Sequence, residues 1–213
     1  MGQQTGFYPI FLDLGQRKCV VVGGGPVAER KAAGLLKAGA EVTIVSPDVT
    51  QGLQRLVESG DVRLLERAFE ETDLEGATLA FAATDSQGVN QAVLDAASRS
   101  GIPVNISDRS NRGDFVVPSS FMKGPLQVAI STGGGSPALA RIIRQDLEHA
   151  VAGELVELAQ MLERLRPRVQ SRFPENEPQR RRVWARLVAP DVLEHIQAKS
   201  WDRVEEIVEE CLS

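Results

Sequence analysis

Over its first half the chain alternates between short apolar runs and longer stretches in which apolar residues recur every three or four positions. The short runs are Cys19–Val22, Val42–Val45, a weaker Val62–Glu66, Ala77–Ala83 and Ile102–Ser107. Most are β-branched and unbroken by polar residues, which predicts strands buried on both faces. Between them, Gly25 to Gly39 and Ser86 to Ser100 carry helical spacing. In the second, Val89, Val93, Ala96 and Ala97 form one stripe, Asp85 or Ser86 serves as the cap, and Gly101 stops the helix. Strands alternating with helices predict an α/β unit, a parallel sheet with helices on both faces. Tyr8–Leu14, with Pro9 near its start, is expected as an edge strand or an arm against that sheet.

From Gly113 the pattern changes. Asp114–Val117, Pro118-Ser119-Ser120 and Leu126–Ser131 read as short strands with a Gly124-Pro125 turn among them. Ser136 then suits an N-cap and Pro137 a first helical position. The last third is helical, with one stripe of Leu155, Leu158, Leu162 and Leu165 and another of Trp201, Val204, Ile207, Val208 and Leu212. Pro167, Pro174 and Pro178 mark Arg168–Glu177 as a loop. The chain thus divides into residues 1–112, 113–148 and 149–213.

The first two strands and the helix between them enclose Gly23, Gly24 and Gly25, a glycine turn in the context that makes it a dinucleotide-binding motif of Rossmann type. Gly23 permits the tight turn and Gly25 lets a pyrophosphate come close. Ala28 occupies the third slot of Gly-x-Gly-x-x-Gly/Ala, where helix and strand must pack. The helix start at Pro26 and Val27 offers its amides and partial positive charge to phosphates, although Pro26 itself lacks a donor. In open parallel sheets ligands sit beyond the carboxyl ends of the strands. Those ends are the glycine turn, Ser46-Pro47-Asp48, Thr84-Asp85 and Asp108, expected to converge on one cleft. Ser46 stands where an acidic ribose ligand is usual, Asp48 follows two positions on, and no arginine follows at once, which favours NAD over NADP. A second glycine-rich turn, Ser131 to Pro137, opens a helix after two hydroxyls and is a candidate nest for carboxylates or phosphate.

Composition narrows the chemistry. A net charge of −5 gives no field toward nucleic acid or membrane, and no run approaches the ~20 apolar residues of a membrane span. Two cysteines, Cys19 and Cys211, form no disulfide framework, so the expected setting is reduced and cytoplasmic. With two Cys and two His widely scattered, a zinc site is not expected. Tyr8, the single tyrosine, precedes the first strand, so a Tyr-x-x-x-Lys acid–base pair is absent. His149 and His195 fall in helical segments away from the strand ends. The carboxylate left at the cleft is Asp108, with Asp85 and Asp114 behind it: a general base, an electrostatic partner for a cationic intermediate, or a turn cap. The eight arginines from Arg164 to Arg186 read as a solvated helix face with scattered ion pairs.

Taken in order, YPIFLDL, VVGGGPVAERKAAGLLKAGAEVTIVSPD, FAATD, NISD, FVVPSSF and ISTGGGSPALARIIRQDLE closely resemble the siroheme synthase N-terminal family. That family comprises precorrin-2 dehydrogenases, some of which are also sirohydrochlorin ferrochelatases. The likeness is strong from Tyr8 to Glu148 and looser in the helical tail, which corresponds to the family's dimerisation region. It implies a Rossmann-type domain, a small α+β dimerisation and substrate region, and a helical C-terminal region. It implies oxidation of precorrin-2 to sirohydrochlorin by NAD, with ferrous iron as a further substrate in bifunctional members, and a homodimer. The family's essential aspartate falls on Asp108, as remover of the proton. Asn105, Arg109, Ser131, Thr132, Gly133 and Gly134 become candidate partners of a substrate with eight carboxylates, and so do Arg112, Lys123 and Arg141. No methyltransferase domain follows within the 213 residues, so that step is expected from another protein. A non-catalytic NAD-sensing module shares the glycine turn but has no use for FVVPSSF and STGGGSP.

Overall fold

The computed structural model describes residues 6–107 and 113–213. It contains two compact units, Met1–Val117 and Pro118–Ser213.

In the first unit five strands form one parallel sheet: β1 (Lys18–Val22), β2 (Glu41–Val45), β3 (Val62–Leu65), β4 (Leu79–Ala82) and β5 (Val104–Ile106), in the order β3-β2-β1-β4-β5. Side chains alternate across a strand, so Cys19 and Val21 enter one core while Val20 and Val22 enter the other. The first core is roofed by α1 (Pro26–Lys37) and α2 (Gln51–Glu58), through Ala28, Ala32, Leu35 and Leu53. The second is roofed by α3 (Gln87–Ser100), through Val93, Ala96 and Ala97. Both faces are covered, which is why β1 shows no polar alternation. Ser86 caps α3 by accepting from the Val89 amide, and Gly101 closes it in the left-handed conformation (φ 65°).

Three sequence expectations fail here for physical reasons. Tyr8–Leu14 is not a strand: Tyr8, Ile10 and Phe11 are exposed and only Leu14 reaches the core. The border of β5 is instead occupied by Asp114, whose amide donates to the Val104 carbonyl and whose carboxylate accepts from the Val104 amide, both at 2.9 Å. Asp114–Val117 is likewise irregular rather than a strand, held by that side-chain bond and by the edge-to-face packing of Phe115 on Phe81. A 3₁₀ turn, Glu71–Leu74, and helix α2 lie where no element was expected.

In the second unit β6 (Ser119–Lys123) and β7 (Leu126–Ile130) form an antiparallel hairpin turned by Gly124 (φ 55°) and Pro125, with α4 (Pro137–Ala150) packed on it. Ser136 caps α4 and Pro137 begins it, as the sequence indicates. Helices α5 (Gly153–Arg172), α6 (Glu177–Leu187), α7 (Pro190–Gln197) and α8 (Trp201–Leu212) enclose a separate core containing Leu158, Leu165, Val169, Val183, Ile196 and Ile207. The expected loop over Arg168–Glu177 is a correction, because α5 runs through Pro167 to Arg172. An interior proline costs ~3 kcal/mol. Burial of Leu165 and Val169 on either side, each worth about 1.5–3 kcal/mol, offsets it.

Candidate functional site

The glycine turn shows three different local requirements. Gly23 has φ +126°, and a Cβ there would stand 2.3 Å from the Ala83 carbonyl oxygen. Gly24 would place a Cβ 1.8 Å from the Asp48 carbonyl oxygen, and its own carbonyl accepts from the Thr50 amide at 2.9 Å. Around Gly25 nothing lies within 4 Å of a built Cβ. Gly25 is also the N-cap of α1, in extended conformation and with no side chain capping the helix. The first two glycines therefore dock the turn against the exits of β4 and β2. The third leaves an open backbone at an uncapped helix start, beside exposed Pro26 and half-buried Val27. A pyrophosphate fits this arrangement: its charge meets the positive end of α1, and no side chain obstructs its approach.

The neighbouring strand exits converge on the same edge. Ser46 is buried, and its hydroxyl donates to the Asp48 carbonyl at 2.7 Å, so it shapes the loop, while Pro47 and Asp48 are exposed. At the exit of β4 the Thr84 hydroxyl donates to Asn90 Oδ1 at 2.8 Å, and Asn90 Nδ2 donates back to the Thr84 carbonyl at 2.9 Å. Buried Asn90 thus fixes the turn that presents exposed Asp85. Neither Asn90 nor the Thr50 cap of α2 announces itself as part of a site in the sequence, although Thr50 before an amphipathic stretch is a readable helix start.

Asn105 lies on β5, buried, donating through Nδ2 to the Phe115 carbonyl at 2.9 Å. Its Oδ1 accepts from Lys31 Nζ at 3.0 Å, and the ammonium also lies 5.5 Å from the Phe81 ring centroid. Burial, aided by the charge of Arg30, lowers the Lys31 amine to about 8. Lys31 comes from α1, 74 residues before Asn105, and helix periodicity gives no sign of the link. Asp108, Arg109 and Arg112 lie outside the described residues. Asp114 serves structure, its carboxylate bonded to the Val104 amide.

In the second unit, the turn after β7 is held by its own hydroxyls. Ser131 Oγ accepts from the Gly133 amide at 3.1 Å and Thr132 Oγ1 from the Ser136 amide at 2.9 Å. Gly133 and Gly134 take φ of 63° and 87°, and both are exposed along with Ser131. Lys123 is not available to a substrate as the resemblance implied, since its ammonium donates to the Glu148 and Val151 carbonyls at the end of α4. Arg141 is exposed. Among the described residues no group of three His, Cys, Asp or Glu is placed to hold a metal ion, and no helix is long and apolar enough to cross a membrane.

Sheet order, glycine turn and uncapped helix start together define a Rossmann-type dinucleotide-binding protein. A family model described as putative NAD(P)-binding matches residues 10–119. Models described as the sirohaem biosynthesis protein central region and the sirohaem synthase dimerisation region match residues 123–150 and 154–212. The chain belongs to the siroheme synthase N-terminal family. It is 40% identical over 206 residues to a siroheme synthase of Thioalkalivibrio sulfidiphilus, covering 97% of this chain and 42% of that one. A siroheme synthase of Methylococcus capsulatus is 41% identical over 182 residues, covering 85% and 38%. The chain thus spans about two-fifths of the length of these relatives. The solved structure of SirC, precorrin-2 dehydrogenase, matches with a TM-score of 0.74 and 27% identity, covering 94% of this chain and 100% of that one.

Proposed function

We propose that the chain is an NAD-dependent dehydrogenase that oxidises precorrin-2 to sirohydrochlorin in siroheme biosynthesis. The observation that carries this reading is the likeness to a precorrin-2 dehydrogenase over the whole of that chain, joined to a glycine turn whose third member is open. NAD, when bound, supplies the two-electron acceptor for one hydride from a ring carbon. Gly25 and the start of α1 hold its pyrophosphate, Gly23 and Gly24 fix the turn, and Ser46 and Asn90 set the two loops beside it. Asp108 follows the end of β5 by two residues and takes the proton released as the macrocycle gains its new double bond. Arg109 and the exposed Ser131–Gly134 turn are assigned to the substrate's carboxylates, while buried Asn105, engaged by the Phe115 carbonyl and by Lys31, positions Lys31 beside β5 instead. The protein works as a homodimer in the cytoplasm, the match over 154–212 to a dimerisation region supporting the first of these.

The test is anaerobic incubation of the purified chain with precorrin-2 and NAD, followed by NADH absorbance. Turnover is expected, and its absence with folded protein and intact substrate refutes the reading. Asp108→Ala is expected to keep NADH affinity while turnover falls ~10²-fold or more. Loss of NADH binding in that variant gives Asp108 a structural task instead. The relatives' name, siroheme synthase, supports a second activity, ferrous iron insertion into sirohydrochlorin, with iron as substrate. The rate of insertion without NAD, compared with the spontaneous rate, decides that activity.

A further inference from the structure

We infer that Glu29 is the residue that makes this chain select a dinucleotide lacking a 2′-phosphate. This rests on the cofactor reading above and adds the determinant of its selectivity. In a fold of this kind the adenosine ribose lies beyond the second strand. Here that place is the loop Ser46–Thr50, held on the glycine turn by the Thr50 amide bond to the Gly24 carbonyl. The loop contains neither Arg nor Lys to pair with a phosphate dianion. What it offers an anion is the first turn of α2, capped by Thr50.

That position is already filled from within. Glu29, in the first turn of α1, accepts a hydrogen bond from the Thr50 hydroxyl at 2.6 Å. Its carboxylate also lies against the backbone of Gly52, where a Cβ would stand 1.9 Å from one carboxyl oxygen and 2.6 Å from the other. Gly52 therefore has no side chain where Glu29 needs the room. The carboxylate takes the anion's place at the helix start and complements the positive end of α2. An incoming 2′-phosphate meets an occupied seat and a charge of its own sign. The next cation along the chain, Arg55, donates through Nε to the Gln51 carbonyl.

Isothermal titration of the full chain with NADH and with NADPH, without tetrapyrrole, tests this independently of turnover. Glu29→Gln keeps an acceptor for Thr50 and removes the charge; Glu29→Lys reverses it. Wild type is expected to prefer NADH. In Glu29→Gln the affinity for NADPH is expected to rise about tenfold, more in Glu29→Lys, with that for NADH changing less than about twofold. Added salt is expected to shrink the gain. Unchanged NADPH affinity in both variants, with NADH binding intact, overturns the inference, as does a wild-type preference for NADPH. Failure of wild type to bind either dinucleotide refutes the cofactor reading itself, and the inference with it.

Discussion

Replacing each glycine of the turn by alanine separates binding from folding. At Gly25 the backbone is extended (φ −81°, ψ −176°) and a Cβ meets nothing within 4 Å. Gly25→Ala therefore folds without strain and gains ~0.4–1 kcal/mol from the reduced freedom of the unfolded chain. The same methyl stands where phosphate oxygens must come within about 3 Å of backbone amides. Two charge-assisted bonds at ~1.5–3 kcal/mol each put the loss of NADH affinity at about 10²-fold or more. Gly24→Ala behaves in the opposite sense. A Cβ 1.8 Å from the Asp48 carbonyl oxygen forces two backbone segments apart by more than an ångström, an overpacking cost of ~1–3 kcal/mol. Gly23→Ala adds left-handed strain at φ +126° to a 2.3 Å clash. Thermal melts and NADH titrations on the three variants read both quantities. A Gly25→Ala protein that binds NADH as wild type refutes the placement of the pyrophosphate on this turn. One that melts as low as Gly24→Ala shows that Gly25 serves the fold.

Two titrating groups give further checks. Lys31, lowered to about 8 from its ordinary 10.5 by burial and by Arg30, has lost its proton in the folded chain between those values while the unfolded chain still holds one. Stability is therefore expected to rise with pH across that window by about 1–2 kcal/mol, allowing for solvent around the half-buried amine. Lys31→Met removes this rise, measured as the difference between the two proteins in urea unfolding. That difference cancels Cys19, whose thiol, pushed by burial to about 11, acts the other way above pH 9. Identical pH dependence in both proteins refutes the assignment. Burial works to raise Asp73, but the Arg67 hydrogen bonds, the Glu70 amide and the charges of Arg67 and Lys18 hold it below the usual carboxylate range. Its contribution is complete above the unfolded carboxylate's pKa and is lost as pH falls through the folded one. Asp73→Asn is expected to lower Tm at neutral pH, and the gap to wild type to close under acid; a gap constant from pH 7 to pH 3 refutes it.

The parallel sheet and its glycine turn were legible because burial on both faces leaves an unbroken apolar run, and because strand, turn and helix must follow one another closely in sequence. Helix α2 was readable too, from Leu53, Leu56 and Val57 at helical spacing behind the Thr50 cap, but its eight residues offer only about two turns of that period, and no element was expected there. Pro167 misled because its local cost is visible in the sequence while the burial of Leu165 and Val169 is tertiary. The same holds at the site. Gly23–Gly25 and Ser136-Pro137 announce backbone conformations that few other residues supply. The bonds of Lys31 to Asn105 and of Thr50 to Glu29 join residues 74 and 21 positions apart, and no spacing rule connects them. Lys123 shows the converse: a cation proposed for the substrate's carboxylates whose ammonium is drawn to two carbonyls at a helix end.

Asp114 bonds to both backbone groups of Val104, so the outer rim of β5 has no vacant ladder there for another strand to join. Self-association by sheet extension is thereby blocked at that rim. A second copy of the chain must recognise side chains instead of main-chain amides on that side, and its choice of partner becomes a matter of sequence rather than of generic β-pairing.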